Sequence, residues 1–183
     1  VINVKLPSDI VTPFVGGGAI AGGQSGSSSG TEILAVTPDT GFVLGAGANR
    51  TVAVAKPDDE DTSYISAAGG IFATTNGTVQ DSALTTQTIT NVRVRARGKF
   101  ITTLGEPMNI VMSDDAFTHT VTSTPALTLA YADYVGCTSA TAPSGGAWTV
   151  AKVNSLVVQL GNNSDSATLR VTSWTVEVDW TSP

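Results

Sequence analysis

This sequence predicts an all-β fold of two antiparallel sheets packed as a sandwich, and three observations carry the prediction. Short alternations of apolar and polar residues recur along the chain, most plainly in VRVRAR at 92–97. A period of two sends successive side chains to opposite faces of a strand. Charged residues make up only 13% of the chain while Gly alone contributes 19 residues, against roughly 25% charged in an average globular chain. That mix disfavours a helical bundle, which draws on Ala, Leu, Glu and Lys, and suits strands joined by turns. Finally, no long amphipathic helix interrupts the eight to ten strand segments, and 183 residues suffice for one domain with a real core.

The elements follow in order. Residues 1–15 (VINVKLPSDIVTPFV) form an apolar segment in which Pro7 and Pro13 oppose a helix. Its apolar side chains are Val1, Ile2, Val4, Leu6, Ile10, Val11, Phe14 and Val15. Residues 16–30 (GGGAIAGGQSGSSSG) read as a Gly/Ser linker with a flexible reach of roughly 20 Å. Either the two segments are a first strand and loop of the same domain, or 1–15 is an arm that docks on a neighbouring subunit as an added strand. Residues 31–183 form the sandwich. Strands are expected at 31–36, at 50–56 (Thr51, Ala53 and Ala55 opposite Val52 and Val54), at 64–65 and at 86–97. Further strands are expected at 107–113, 117–124, 127–135, 155–160 and 168–180. A helical turn is expected over 149–156 with Thr149 as its N-cap. Asn76-Gly77 reads as a tight turn, as does Asn162-Asn163.

Two strands predict a contact. In 92–97, Val92, Val94 and Ala96 share one face, and Arg93, Arg95 and Arg97 the other. The last strand changes phase, from Leu169 and Val171 to Trp174, Val176, Val178 and Trp180. A bulge near Thr172 and Ser173 explains this, because a one-residue slip turns every side chain over. Glu177 and Asp179 then face outward. They either meet the arginine row across paired strands or stay on a separate solvated face.

Candidate chemistry is sparse. One cysteine, Cys137, excludes an internal disulfide and a thiolate zinc cage. One histidine, His119, would have to carry any Ser-His-Asp or Cys-His machinery, and without a coherent acid pair beside it the reading is a non-enzyme. A net charge of −6 opposes general nucleic-acid binding, and no apolar run reaches the ~18 residues of a membrane span. The acidic turn with Asp58, Asp59 and Asp61 is either a solvated loop or a Ca2+ site; it lacks the EF-hand spacing. No other cofactor is implied. Trp148 either plugs the end of the sandwich or stacks on a sugar, and Trp174 and Trp180 read as core.

Several segments resemble, in order, a module of tailed-phage virion proteins. They are TGFVLGAGANRTVAVAKPDDEDTSYISAA at 40–68 with its acidic turn before Tyr64-Ile65, the VRVRAR strand, LTLAYADYV, the P-x-x-x-A-W-T-x-x-x-V-N-S-L pattern from Pro143, and the closing RVTSWTVEVDW. They cover most of 31–183. The resemblance implies an antiparallel jelly-roll β-sandwich with an extended N-terminal arm, in a virion structural protein of the capsid-decoration, tail or fibre type. It implies as partners the major capsid or tail protein and copies of the chain itself, and it carries no catalytic residue. The rival readings are a receptor- or carbohydrate-binding module facing a host-surface glycan, and a secreted adhesin or filament subunit outside the cell.

Overall fold

The computed structural model describes residues 27–54, 61–69, 73–102 and 105–182. The expected arm, residues 16–26 of the linker, and Asp58 and Asp59 lie outside them.

The described residues hold ten strands: β1 Ser29–Pro38, β2 Val43–Ala46, β3 Tyr64–Ala67, β4 Thr74–Val79, β5 Thr88–Phe100, β6 Met108–Ser113, β7 Val121–Ser123, β8 Ala132–Ser139, β9 Val157–Asn162 and β10 Leu169–Thr181. Every pairing is antiparallel. In the first sheet β8 pairs β5 and β5 pairs β10 along its length. The far side of β10 is shared: β3 takes 169–171 and β1 takes 175–181, with β2 outside β3. The second sheet runs from the end of β1 through β4, β9 and β6 to β7. β1 therefore changes sheets after Ala35. Of the steps between successive strands, only β2–β3 and β6–β7 stay within one sheet. This is the all-β antiparallel sandwich that the alternation predicts.

The core lies between the sheets. Val92, Val94 and Ala96 of β5 point inward with Trp174, Val176 and Val178 of β10, against Ile110, Met112, Val158 and Leu160 of the second sheet; all are buried. The phase change in β10 is a register shift between Val171 and Ser173, where the bulge is expected. Trp174 is wholly buried and packs onto Gly77, where a Cβ would fall 2.3 Å from Val36 Cγ1 and 2.8 Å from the Trp174 ring. Asn76-Gly77 is thus not a turn: it lies inside β4, and the glycine makes room for the indole.

Other expectations are corrected. The segment 50–56 is not a strand over its described part; Arg50–Ala53 is a helical turn, α1. Ala53 N donates to Asn49 O (2.9 Å) and Arg50 Nε donates to Phe42 O (2.8 Å), which curls the chain. Val54 O then accepts from Trp174 N (3.0 Å), in the stretch of β10 that neither β1 nor β3 reaches. The expected strand at 117–124 shrinks to β7, because Ala116 and Phe117 adopt positive φ and turn the chain. Residues 127–131 form a loop whose Leu127 is buried, and the strand starts at Ala132. β2 and β4 are additions to the expected strands. The expected helical turn is present: α2 spans Val150–Asn154, and the Thr149 side chain accepts from Lys152 N. Asn162 ends β9 fully buried, its Nδ2 donating to the carbonyls of Ala67, Ala68 and Ala167.

Candidate functional site on the outer face of the first sheet

Strand register builds one charged surface. On β5, Arg93, Arg95, Arg97 and Lys99 project from the face opposite the core, and β10 adds Glu177 and Asp179. The bulge brings Arg170 onto the same side, directly opposite Lys99. Five of the chain's nine Lys and Arg residues (Arg93, Arg95, Arg97, Lys99 and Arg170) therefore share a single face.

The carboxylates and the arginine row meet. Arg93 Nε donates to Glu177 Oε2 (2.7 Å) and its Nη2 to Asp179 Oδ1 (2.6 Å). Arg95 forms an ion pair with the same Glu177 oxygen at 2.9 Å. Arg97 grips Asp61 with two parallel bonds, Nε to Oδ1 and Nη2 to Oδ2, both 2.8 Å, and reaches Asp133 at 3.3 Å. Thr31 and Thr172 hydroxyls complete the network on Asp179 and Asp61. Glu177 holds the Arg93 guanidinium pKa above its ordinary value. The Arg97 hydrogen bonds hold the Asp61 carboxyl below its own, against the opposing effect of burial. Bidentate geometry and partial burial raise such pairs above the ~0–1 kcal/mol of an exposed pair. Their geometric effect is to fix the alignment of β5, β10 and the segment around Asp61.

Beyond Arg97 the face turns aromatic. Lys99 Nζ stands 4.3 Å over the Tyr131 ring, and the Arg170 guanidinium 4.3 Å over the Tyr64 ring. Burial pushes the Tyr131 hydroxyl up, opposed by the charge of the neighbouring Arg170 and by a hydrogen bond from it.

The remaining candidates are placed elsewhere. Both oxygens of Asp61 are engaged by a guanidinium, which competes directly with any cation there, so the expected acidic-turn ligand is a structural partner of Arg97. Trp148 is only 4% exposed, and its Nε1 donates to Ser139 O (2.9 Å). It plugs the loop end of the sandwich and offers no free ring face to a sugar. Beside it, the buried Asp114 carboxylate accepts from Ser144 N and Oγ (2.9 and 2.5 Å), tying down the turn that contains Gly145 and Gly146. His119 Nδ1 contacts Asp115 Oδ2 at 2.5 Å on an exposed loop, and this bond drives Asp115 down to about 2. Burial raises the Cys137 thiol to about 11; its Sγ lies 3.0 Å from Ile110 O and 2.9 Å from Val121 O, which share its single proton. A protonated, enclosed thiol is a poor nucleophile. On the second sheet, a cavity of about 350 Å3 is lined by Thr37, Asp39, Asn76, Thr78 and Val157.

No family model matches this sequence, and no curated protein does. Among solved structures, the arabinose-bound α-L-arabinofuranosidase MgGH51 is similar at a TM-score of 0.45 and 8% identity, over 79% of this chain. The match spans 23% of that enzyme's length, and likeness at this level carries no functional argument.

Sequence reasoning finds the arginine row, its acidic partners and the bulge. It misses Arg170 opposite Lys99, although the bulge signals it: one extra residue before Ser173 puts the even-numbered Arg170 on the same face as the odd-numbered Glu177.

Proposed function

We propose that the protein is a non-enzymatic structural protein of a tailed-phage virion, a jelly-roll sandwich that decorates or cements a capsid or forms part of a tail or fibre. Residues 1–15 act as the anchor to its neighbours, which are the major capsid or tail protein and further copies of the chain. The observation that carries this reading is how the folded body closes at its first strand. Ser28 O accepts from Ser182 N (2.8 Å), Ser28 N donates to Ser182 Oγ (3.2 Å), and the β1–β10 ladder begins at once with Ser29 opposite Thr181. Whatever precedes Ser28 is attached to a fixed corner of the body. An apolar segment on a Gly/Ser spacer, tethered at such a corner, is suited to reaching a neighbouring subunit. Alternation of successive strands between the two sheets supports jelly-roll winding. The ion-pair network supports a body that keeps its strand register in an assembly.

Deleting residues 1–26 tests the reading. The truncated chain should unfold at the same temperature as the full chain and fail to enter particles assembled with it. Normal incorporation of the truncated chain would remove the arm from the proposal.

A further inference from the structure

Among the described residues, three of the five cations on the first sheet's outer face are ion-paired with carboxylates, and Lys99 and Arg170 are not. Lys99 and Arg170 face each other directly across the β5–β10 ladder. Neither has an ion pair with a carboxylate among the described residues. Like charges in opposed cross-strand positions repel, and the Arg170 Nε is buried without a hydrogen-bond partner. In a chain of net charge −6, two adjacent cations, with the Asp61 carboxylate acting on Lys99 beyond ion-pair distance, form a local site of opposite sign. The Tyr131 ring face carries Lys99 and the Tyr64 ring face carries Arg170, and Arg170 also hydrogen-bonds Tyr131, which limits the rotamer freedom lost when a ligand arrives.

We propose that Lys99 and Arg170 form an anion site that receives a carboxylate from an acidic segment of a partner protein. The guanidinium supplies planar N–H donors suited to a carboxylate, and the ammonium adds a point charge beside it. The surroundings favour a polypeptide over an acidic sugar. Ile101, two residues beyond Lys99, is 41% exposed, and Leu129, two before Tyr131, is 47% exposed. Exposed aliphatic groups beside Arg and Tyr are the composition of a protein interface. The aromatic rings are occupied already: Tyr64 contacts Arg170 and lies against Gly45, where a Cβ would fall 2.0 Å from Cε2, and Tyr131 carries Lys99. The site is independent of the arm and stands whether or not residues 1–15 anchor the protein.

The full chain would be titrated with a hexaglutamate peptide, and separately with glucuronate at equal carboxylate concentration, while the Arg170 Nε–H resonance is followed by NMR. The peptide should shift that resonance saturably. Replacing both cations (Lys99→Gln with Arg170→Gln), with binding then read by calorimetry because the Arg170 signal is gone, should weaken peptide binding on the order of tenfold. Lys152→Gln, at a cation bonded to the Gly145 carbonyl, should leave it unchanged. If the double variant unfolds, Lys99→Gln alone should weaken binding and still leave the Arg170 signal readable. A resonance unmoved by peptide, or moved equally by glucuronate, would overturn the proposal. So would a chain already self-associated through Lys99 and Arg170 before peptide is added, since the occupant would then be a second copy.

Discussion

The two sheets share one core and present opposite surfaces. The first carries Arg93, Arg95, Arg97, Lys99, Arg170, Glu177 and Asp179 on its outer side. The second has no charged residue anywhere in β4, β6, β7 or β9. Its outer positions are Thr74, Asn76, Thr78, Asn109, Val111, Thr122, Val157 and Gln159. There the amide of Gln159 bridges two strands, its Nε2 donating to Asn76 Oδ1 (2.8 Å). Both sheets are antiparallel, so charge is not what makes a sheet here. Burial of the inner faces does that for both. The ion pairs add alignment: they span β10, β5 and the segment at Asp61, and through Asp133 they reach β8.

That contrast can be broken at its centre first. Gly77→Ala places a methyl group into Val36 and Trp174, where both sheets meet. Chemical denaturation should show a loss of about 1–3 kcal/mol, the largest effect expected from so small a change. Next is the charged face. Arg97→Met removes the grip on Asp61 and should cost on the order of 1 kcal/mol, discounted for partial exposure. In a double-mutant cycle with Asp61→Asn, coupling well above that of an exposed pair is expected, and coupling near zero would deny the network any part in stability. Acid should act on this face through Asp61, and away from it through Asp39 and Asp115. Asp61 is held below its usual pKa, as are Asp39 and Asp115. A depressed carboxylate stabilises the fold above its unfolded pKa near 4, and that contribution fades as pH falls through the folded value. The melting temperature should thus be level from about pH 7 to 5 and drop between about pH 4 and 2, with a smaller drop in Asp61→Asn. The smallest effect belongs to the uncharged face: Thr122→Lys, on the exposed edge strand β7, should change stability by no more than about 0.5 kcal/mol.

What the sequence discloses follows the same division. Period-two runs with strong apolar contrast are legible, so β5, β10 and the meeting of their charges can be read from alternation and phase. β4 cannot, because TTNGTV offers one large apolar residue and a glycine dictated by a distant tryptophan. α1 runs against its own pattern: RTVAVAK alternates convincingly, and over its described part the local Asn49–Ala53 turn bond and the longer-range bonds to Phe42 and Trp174 override it. The Lys99–Arg170 opposition depends on the pairing register of two strands far apart in sequence, which alternation alone does not supply.

The corner where Ser28 meets Ser182 has a mechanical consequence. Tension applied between those two positions peels the β1–β10 rungs apart singly from that end, the weakest way to pull on an antiparallel pair. Tension that enters at Ser28 and leaves through the opposite end of the body instead loads the rungs together, so the direction of pull would decide how much force the domain withstands.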